Sequence, residues 1–314
     1  MSEGKWISDL RPEMPVVEAA RQVLAARLKP VRDRLPKAVR HADENPEYVH
    51  QLRVSTRRAA AALRIFAESL PPKAFKKARK ALRKVRRAAG EARDWDVFLE
   101  TVHPRAARAV AAERAGLDFL VGAAHGQRLA AQQMLEAASA DKALDLDAIL
   151  HKTVGALEKP TQVPGNYSLR DLAAPLFKEE LQRLEEASQR DLHDYKQLHQ
   201  VRIQGKRLRY AMEVFACCFE KAFRDELYPA VEKMQEILGQ ANDSHVALEH
   251  LEVMRARLRV TSPALWKRYQ RGIEAMITYH GRLLPQKRKQ FEAWLRNWRK
   301  SGAMEAFTRL LKNA

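Results

Sequence analysis

Apolar residues recur at helical spacing along almost the whole chain, and no stretch keeps the alternation of period two that a half-buried strand needs. Leu24, Leu28, Val31 and Leu35 make an inward stripe over about 16–41, with Arg21, Lys29 and Arg32 on another side. Pro30 and Pro36 are expected to bend or split this helix, because proline removes a donor and crowds the preceding turn. A second helix is predicted over about 46–70, between Pro46 and the pair Pro71-Pro72. A third begins near Lys73, with Phe75, Ala78, Leu82, Val85 and Ala89 inward and Lys76, Arg79, Lys80, Arg83 and Arg87 as a stripe of cations. An Ala-rich fourth is expected after His103-Pro104, to about Ser139, and a shorter segment bridges Asp141 to Leu157.

The pattern then starts again. Lys159 to Asn166, with two prolines and a glycine, reads as a linker. Ser168 is a predicted N-cap for a helix to about Leu192, followed by helices over about 195–219, 223–254 and from Ser262 onward. In the basic tail from Gln286 to Leu311, Phe291, Trp294, Leu295 and Trp298 share a side, which predicts a packed helix rather than a membrane anchor.

The restart is written in residues. His50-Gln-Leu-Arg-Val-Ser-Thr-Arg-Arg58 returns as His199-Gln-Val-Arg-Ile-Gln-Gly-Lys-Arg207, an offset of 149 positions, and Phe66 falls on Phe215 at the same offset. Gly90, Ala92, Asp94, Val97 and Leu99 likewise match Gly239, Ala241, Asp243, Val246 and Leu248. Two anchors at one offset argue for a duplicated unit, with boundaries at 1–158, a linker at 159–167 and a second unit at 168–314. At about 100° per residue, His50, Arg53, Arg57 and Arg64 fall on one side of their helix, with Leu52, Ala59, Leu63 and Phe66 opposite. The second copy groups His199, Arg202, Lys206 and Tyr210 against Val201, Leu208, Met212 and Phe215. Solvation alone asks only for polarity, so repetition of particular cations points to a ligand.

Charge supports that direction. The 314 residues carry a formal net charge of +18, with 28 basic against 19 acidic residues up to position 150 and 29 against 20 beyond it. Such a surplus repels itself unless a polyanion relieves it, which points to phosphate polymer, nucleic acid or acidic membrane. The adjacent Cys217 and Cys218 are poorly placed for an ordinary disulfide, which fits a reducing cytosol. No apolar run approaches the roughly 18 residues of a membrane span, so the chain reads as soluble and untargeted.

The two repeated stretches resemble the two halves of the CHAD domain, the conserved histidine α-helical domain, in which a His-x-x-Arg helix is followed by a basic cluster and later a Gly-x-x-x-Asp segment. Lys206-Arg-Leu-Arg-Tyr210 carries the closer match. The resemblance implies an all-α fold of two four-helix bundles related by a pseudo-twofold, a basic central channel or groove, and binding of inorganic polyphosphate. This sequence departs from internal symmetry at Ala61 against Tyr210, and at Trp95-Asp96 against Ser244-His245.

A flexible anion of repeated units asks for several cations along a line, since each neutralised phosphate releases counterions. The expected ligands are Arg53, Arg57, Arg58, Arg202, Lys206, Arg207 and Arg209, then Arg21, Lys29, Arg83 and Arg87, with His50 and His199 either donating when protonated or orienting neighbours. Asp94 and Asp243 are expected to hold motif arginines, with Tyr210 as further support. Walker-type loops, zinc spacings, Ser-His-Asp order and the Glu-x-Glu-x-Lys signature of triphosphate tunnel hydrolases do not occur. A non-catalytic binder without cofactor or metal is therefore expected, cytoplasmic or on polyphosphate granules, with polyphosphate-metabolising enzymes as candidate partners. Two readings stay open. RNA binding is disfavoured by aromatics at 7%, too few to interleave as stacking platforms. A histidine phosphotransfer domain would have no use for cationic stripes.

Overall fold

The computed structural model describes residues 4–141, 145–158, 164–302 and 307, and among these the regular elements are all helices, with a single isolated bridge between Pro15 and Ser168. In chain order the helices are α1 (Val16–Arg40), α2 (Glu47–Ile65), α3 (Pro72–Ala107), α4 (Ala111–Ala140), α5 (Leu146–Gly155), α6 (Leu169–Ser188), α7 (Tyr195–Phe215), α8 (Tyr228–Thr261) and α9 (Pro263–Lys300). No described helix is long and apolar enough to cross a membrane.

Local chemistry sets several of these ends. Ser168 opens α6 with a reciprocal capping box: its Oγ accepts from Asp171 N–H at 3.3 Å while its own N–H donates to Asp171 Oδ2 at 2.8 Å. Asp145 caps α5 through Ala148 N–H, and Asp194 caps α7 through Lys196 N–H, both at 2.9 Å. Two helices run through their prolines. Helix α1 is not split at Pro30 or Pro36; it runs through both, since its stripe from Ala19 to Leu35 stays buried and packing outweighs the lost donors. Helix α3 does not stop at Pro104 but carries it inside its last turn, so the break falls at Arg108–Val110. Most of the predicted linker, 159–163, lies outside the described residues, as does most of the tail beyond Gly302. The tail stripe packs inward: Phe291, Leu295 and Trp298 are buried and Trp294 stacks on Trp298 at 5.0 Å.

Neighbouring helices pack in sequence order: α1 on α2, α2 on α3 and α3 on α4, then α6 on α7, α7 on α8 and α8 on α9. The helices that carry matching sequence also meet each other, α2 against α7 and α3 against α8, and α4 packs on α9. Where α4 crosses α9, Gly116 and Gly272 face each other so closely that a Cβ on either would run into the opposite backbone. The segments leading into α1 and α6 are stitched together, Val16 N–H to Tyr167 O at 2.9 Å and Leu169 N–H to Met14 O at 2.8 Å. One continuous apolar core runs through both halves, and α5 packs on α3 and α1.

Candidate anion-binding site

Helices α2 and α7 each place two cations one turn apart on the faces they turn to one another: Arg53 and Arg57 from α2, Arg202 and Lys206 from α7. On the opposite sides of these helices Leu52 and Ala59 of α2 and Val201 and Leu208 of α7 are buried in the core. Gly205 lies so close to Met234 and Gln235 of α8 that a Cβ there would displace their side chains, which lets α7 sit down on α8.

Carboxylates approach from behind. Asp94 of α3 bridges Arg53 at 3.2 Å, and Gly90, one turn earlier, leaves room for that guanidinium: a Cβ at Gly90 would come within 2.5 Å of Arg53 Nη1. The second half breaks the symmetry. Asp243 of α8 is bonded by Asn242 Nδ2 at 3.4 Å rather than ion-paired with Arg202, and Gly239 has open space where Gly90 has a guanidinium. Asn242 also accepts from Tyr195 Oη at 3.1 Å, Tyr195 Oη lies 3.4 Å from His199 Nδ1, and the Tyr195 ring stacks on His245 at 3.4 Å. The unequal pair thus gives different roles: Trp95 instead stacks on His250 at 4.0 Å, and Asp96 takes Arg128 in an ion pair at 2.6 Å.

Among the described residues no carboxylate lies within ion-pair distance of Arg57, Arg202 or Lys206, and Arg202 Nε is buried without a hydrogen-bond partner. The field is correspondingly positive. Burial first, then Arg57, Arg202 and Arg53, push the Lys206 ammonium down to about 5. Burial, then Arg57, lower Arg53 to about 10, and the same causes lower Arg202. His50 and His199 are both held below the ordinary histidine value. Burial is the larger cause for each, followed by Arg93 for His50 and by Arg202 and Lys206 for His199. Burial also raises the Asp243 carboxyl, against the pull of Arg202.

The remaining expected ligands are distributed elsewhere. Arg58 turns away from Arg57 into a buried knot: its Nε donates to Glu213 Oε2 at 2.8 Å, Arg27 stands 3.6 Å from that carboxylate, and Tyr228 Oη donates to it at 2.9 Å. Arg207 bonds Gln204 at 3.2 Å and belongs with Arg64, Arg183 and Glu180 on the side of α6. Arg209 stands 3.5 Å from Glu232 and 5.0 Å from the ring of the buried Tyr210. Arg21 and Lys29 lie on the exposed face of α1, where Lys29 is bridged to Asp33 at 3.0 Å. Arg83 and Arg87 are exposed on α3. Between them Arg86, which sequence reading passed over, joins the cluster through Arg57, Arg83 and Tyr210. Its signal was available, for Arg83, Arg86, Gly90 and Arg93 recur at spacings of three and four and so share the side that faces α2. No group of three or more His, Cys, Asp or Glu among the described residues is placed to hold a metal ion.

The fold is all-helical, and comparison with known proteins gives it a family. The CHAD domain family matches residues 22–252, and the chain belongs to that family. The CHAD domain from the plant Ricinus communis superimposes with a TM-score of 0.76 at 22% identity, covering 93% of this chain and 95% of that one. PptA from Streptomyces chartreusis gives a TM-score of 0.69 at 18% identity, over 90% of this chain and 99% of its own. At these identities both likenesses speak for the fold. No curated protein gave a significant match.

Proposed function

We propose that this protein binds inorganic polyphosphate at the α2–α7 interface and holds it without cleaving it. The carrying observation is that Arg53, Arg57, Arg202 and Lys206 converge from two sequence-matched helices with, among the described residues, only Asp94 and Asp243 near them. A site left with this surplus of half-buried charge is short of an anion, and a chain of phosphates meets several cations at once. Membership of the CHAD family supports the choice of phosphate polymer. Arg86, Arg83 and Arg87 extend the cations along α3 and give a long chain a track away from the cluster. The two carboxylates at the site are turned to Arg53 and Asn242, which suits a holding role better than that of a general base.

In this reading the two units are copies related by a pseudo-twofold through the α2–α7 contact, and both contribute to one basic groove. Cytoplasmic location, association with polyphosphate granules and contact with polyphosphate-metabolising enzymes follow as expectations. The test is filter binding of long-chain polyphosphate with RNA of matched charge as competitor, across a salt series. Polyphosphate should win, and affinity should fall steeply with salt. Affinity that stays flat with salt, or RNA that competes equally, would refute the proposal.

A further inference from the structure

We propose that the turn between α8 and α9 docks on the surface of an anionic lipid bilayer, with Val260 and Leu265 entering the headgroup region and the cations behind them meeting lipid phosphates. Helix α8 outruns the core: of the ten residues from Glu252 to Thr261 only Leu258 is buried, and on α9 nothing is buried before Gly272. At about 1.5 Å per residue, α8 reaches roughly 15 Å past the fully buried Leu251. Three of the six large apolar side chains that are exposed among the described residues lie in this short stretch, Val253 at 67%, Val260 at 81% and Leu265 at 42%. Val253 and Val260 are two turns apart and share a side of α8. Single exposed apolar residues are ordinary on a surface, but a cluster at the end of a hairpin, rimmed by charge, marks an interaction site.

The charge around the cluster is of one sign. From Val253 to Ile273 the sequence holds six cations, Arg255, Arg257, Arg259, Lys267, Arg268 and Arg271, and no acid. Arg255 is paired with Glu252; the other five are exposed, and among the described residues no carboxylate lies within ion-pair distance of them. The turn itself is ready to leave water, because its polar groups are bonded internally. Ser262 N–H donates to Leu258 O at 3.0 Å, Trp266 N–H to Ser262 O at 3.0 Å and Thr261 Oγ to Arg257 O at 2.9 Å. Aliphatic side chains between cations suit a bilayer better than RNA, since Val260 and Leu265 offer no ring for a base to stack on but gain by entering acyl chains. The corresponding turn of the first half, Arg108–Val110, exposes Val110 as its one large apolar side chain and is followed by Glu113. The tip is also remote from the α2–α7 cations: Asp243, which faces Lys206, lies about 27 Å before the turn along α8.

The test is co-sedimentation of the full chain with vesicles of phosphatidylcholine alone or of phosphatidylcholine with phosphatidylglycerol. Partition onto the anionic vesicles should be at least about tenfold higher, since each cation near the surface contributes about fivefold. Val260→Glu with Leu265→Glu should lower that partition at least about tenfold, with thermal stability and polyphosphate affinity unchanged because both side chains are exposed. Arg57→Gln with Arg202→Gln, in the α2–α7 cluster, should leave vesicle binding within about twofold. Insertion has its own signal in Trp266, half-buried one residue past Leu265, which lipids brominated along the acyl chain should quench. Trp266→Phe should lose most of that quenching and still bind. Equal binding to neutral vesicles, binding that survives the paired glutamates or disappears with the α2–α7 variant, or absent quenching would overturn the proposal. So would a single-stranded RNA that binds through Arg257 and Arg268 where vesicles do not, which would assign the tip to nucleic acid. The polyphosphate reading concerns α2 and α7 and is untouched by any of these results.

Discussion

Arg57 and Arg58 are neighbours in sequence and opposites in circumstance. Arg58 enters a buried knot in which Glu213 is 1% exposed and takes hydrogen bonds from Arg58 and Tyr228, with Arg27 alongside. Arg57 faces Arg53, Arg86, Arg202 and Lys206 with no described carboxylate in reach. The knot is matched charge, which holds α1, α2, α7 and α8 together. The cluster is unmatched charge, which opposes folding and favours an anion. The same residue type therefore serves cohesion on one side of α2 and, in the proposed reading, anion binding on the other.

The largest expected effect is on the knot. Glu213→Ala leaves Arg27 and Arg58 buried without their partner and should cost about 3–5 kcal/mol in chemical denaturation. Polyphosphate affinity of the folded fraction should stay within about twofold, as judged by the net value of remote charges. A collapse of affinity in well-folded Glu213→Ala would merge the two regions into one.

Next comes the cluster. Arg57→Gln with Arg202→Gln should weaken polyphosphate binding by about 3 kcal/mol or more, counting about 1.5 or more for each charge-assisted contact. The salt slope should fall by roughly 1.4, taking the value of about 0.7 per contact that holds for single-stranded polyanions. Thermal stability should rise or hold, since like charges have been thinned. Charge removal at Arg53 and Arg57 should be as costly to binding as removal at Arg202 and Lys206, and a silent half would break the idea of a shared site.

Lys206 supplies a smaller, pH-dependent effect. Its folded value of about 5 lies below the ordinary lysine value, so between these limits the unfolded chain binds the extra proton. Stability of the ligand-free protein should therefore rise with pH from about 5 towards 10 on this account. Lys206→Met should flatten that rise and stabilise the empty protein by about 1 kcal/mol at neutral pH, because an apolar residue replaces a buried polar one. Unfolding curves at several pH values check both signs.

The histidines give the smallest effect. His50 and His199 are held below their ordinary value by burial and by neighbouring cations, so both are mostly neutral in the empty site at pH 7. A bound polyanion reverses the field and draws protons on, so binding should tighten as pH falls below about 6.5, with proton uptake visible by calorimetry in buffers of different ionisation enthalpy. Uptake that persists in His50→Gln with His199→Gln would assign the protons to Lys206 instead.

Much of this was legible along the chain. Periodicity gave the helical class and most helix cores, Ser168 announced its own cap, and the 149-residue echo set Arg53, Arg57 and Arg58 at the same positions as Arg202, Lys206 and Arg207. Reading failed where a local rule met packing: Pro104 is a breaker by propensity, yet it lies within a helix whose apolar face is buried. It failed again where chemistry was repeated but geometry was not, as at Asp243, which echoes Asp94 and makes a different contact.

What the sequence determined by itself was the inventory of cations and the helical face each would occupy, since spacing at about 100° per residue fixes direction around an axis. Which cations would be neutralised was decided only by tertiary structure. Arg58 differs from Arg57 by one residue of rotation, and Glu213, 155 residues further on, meets one and not the other because of how α2 crosses α7. Charge acts through space and desolvation through enclosure, and both depend on neighbours that the order of residues along a chain does not contain.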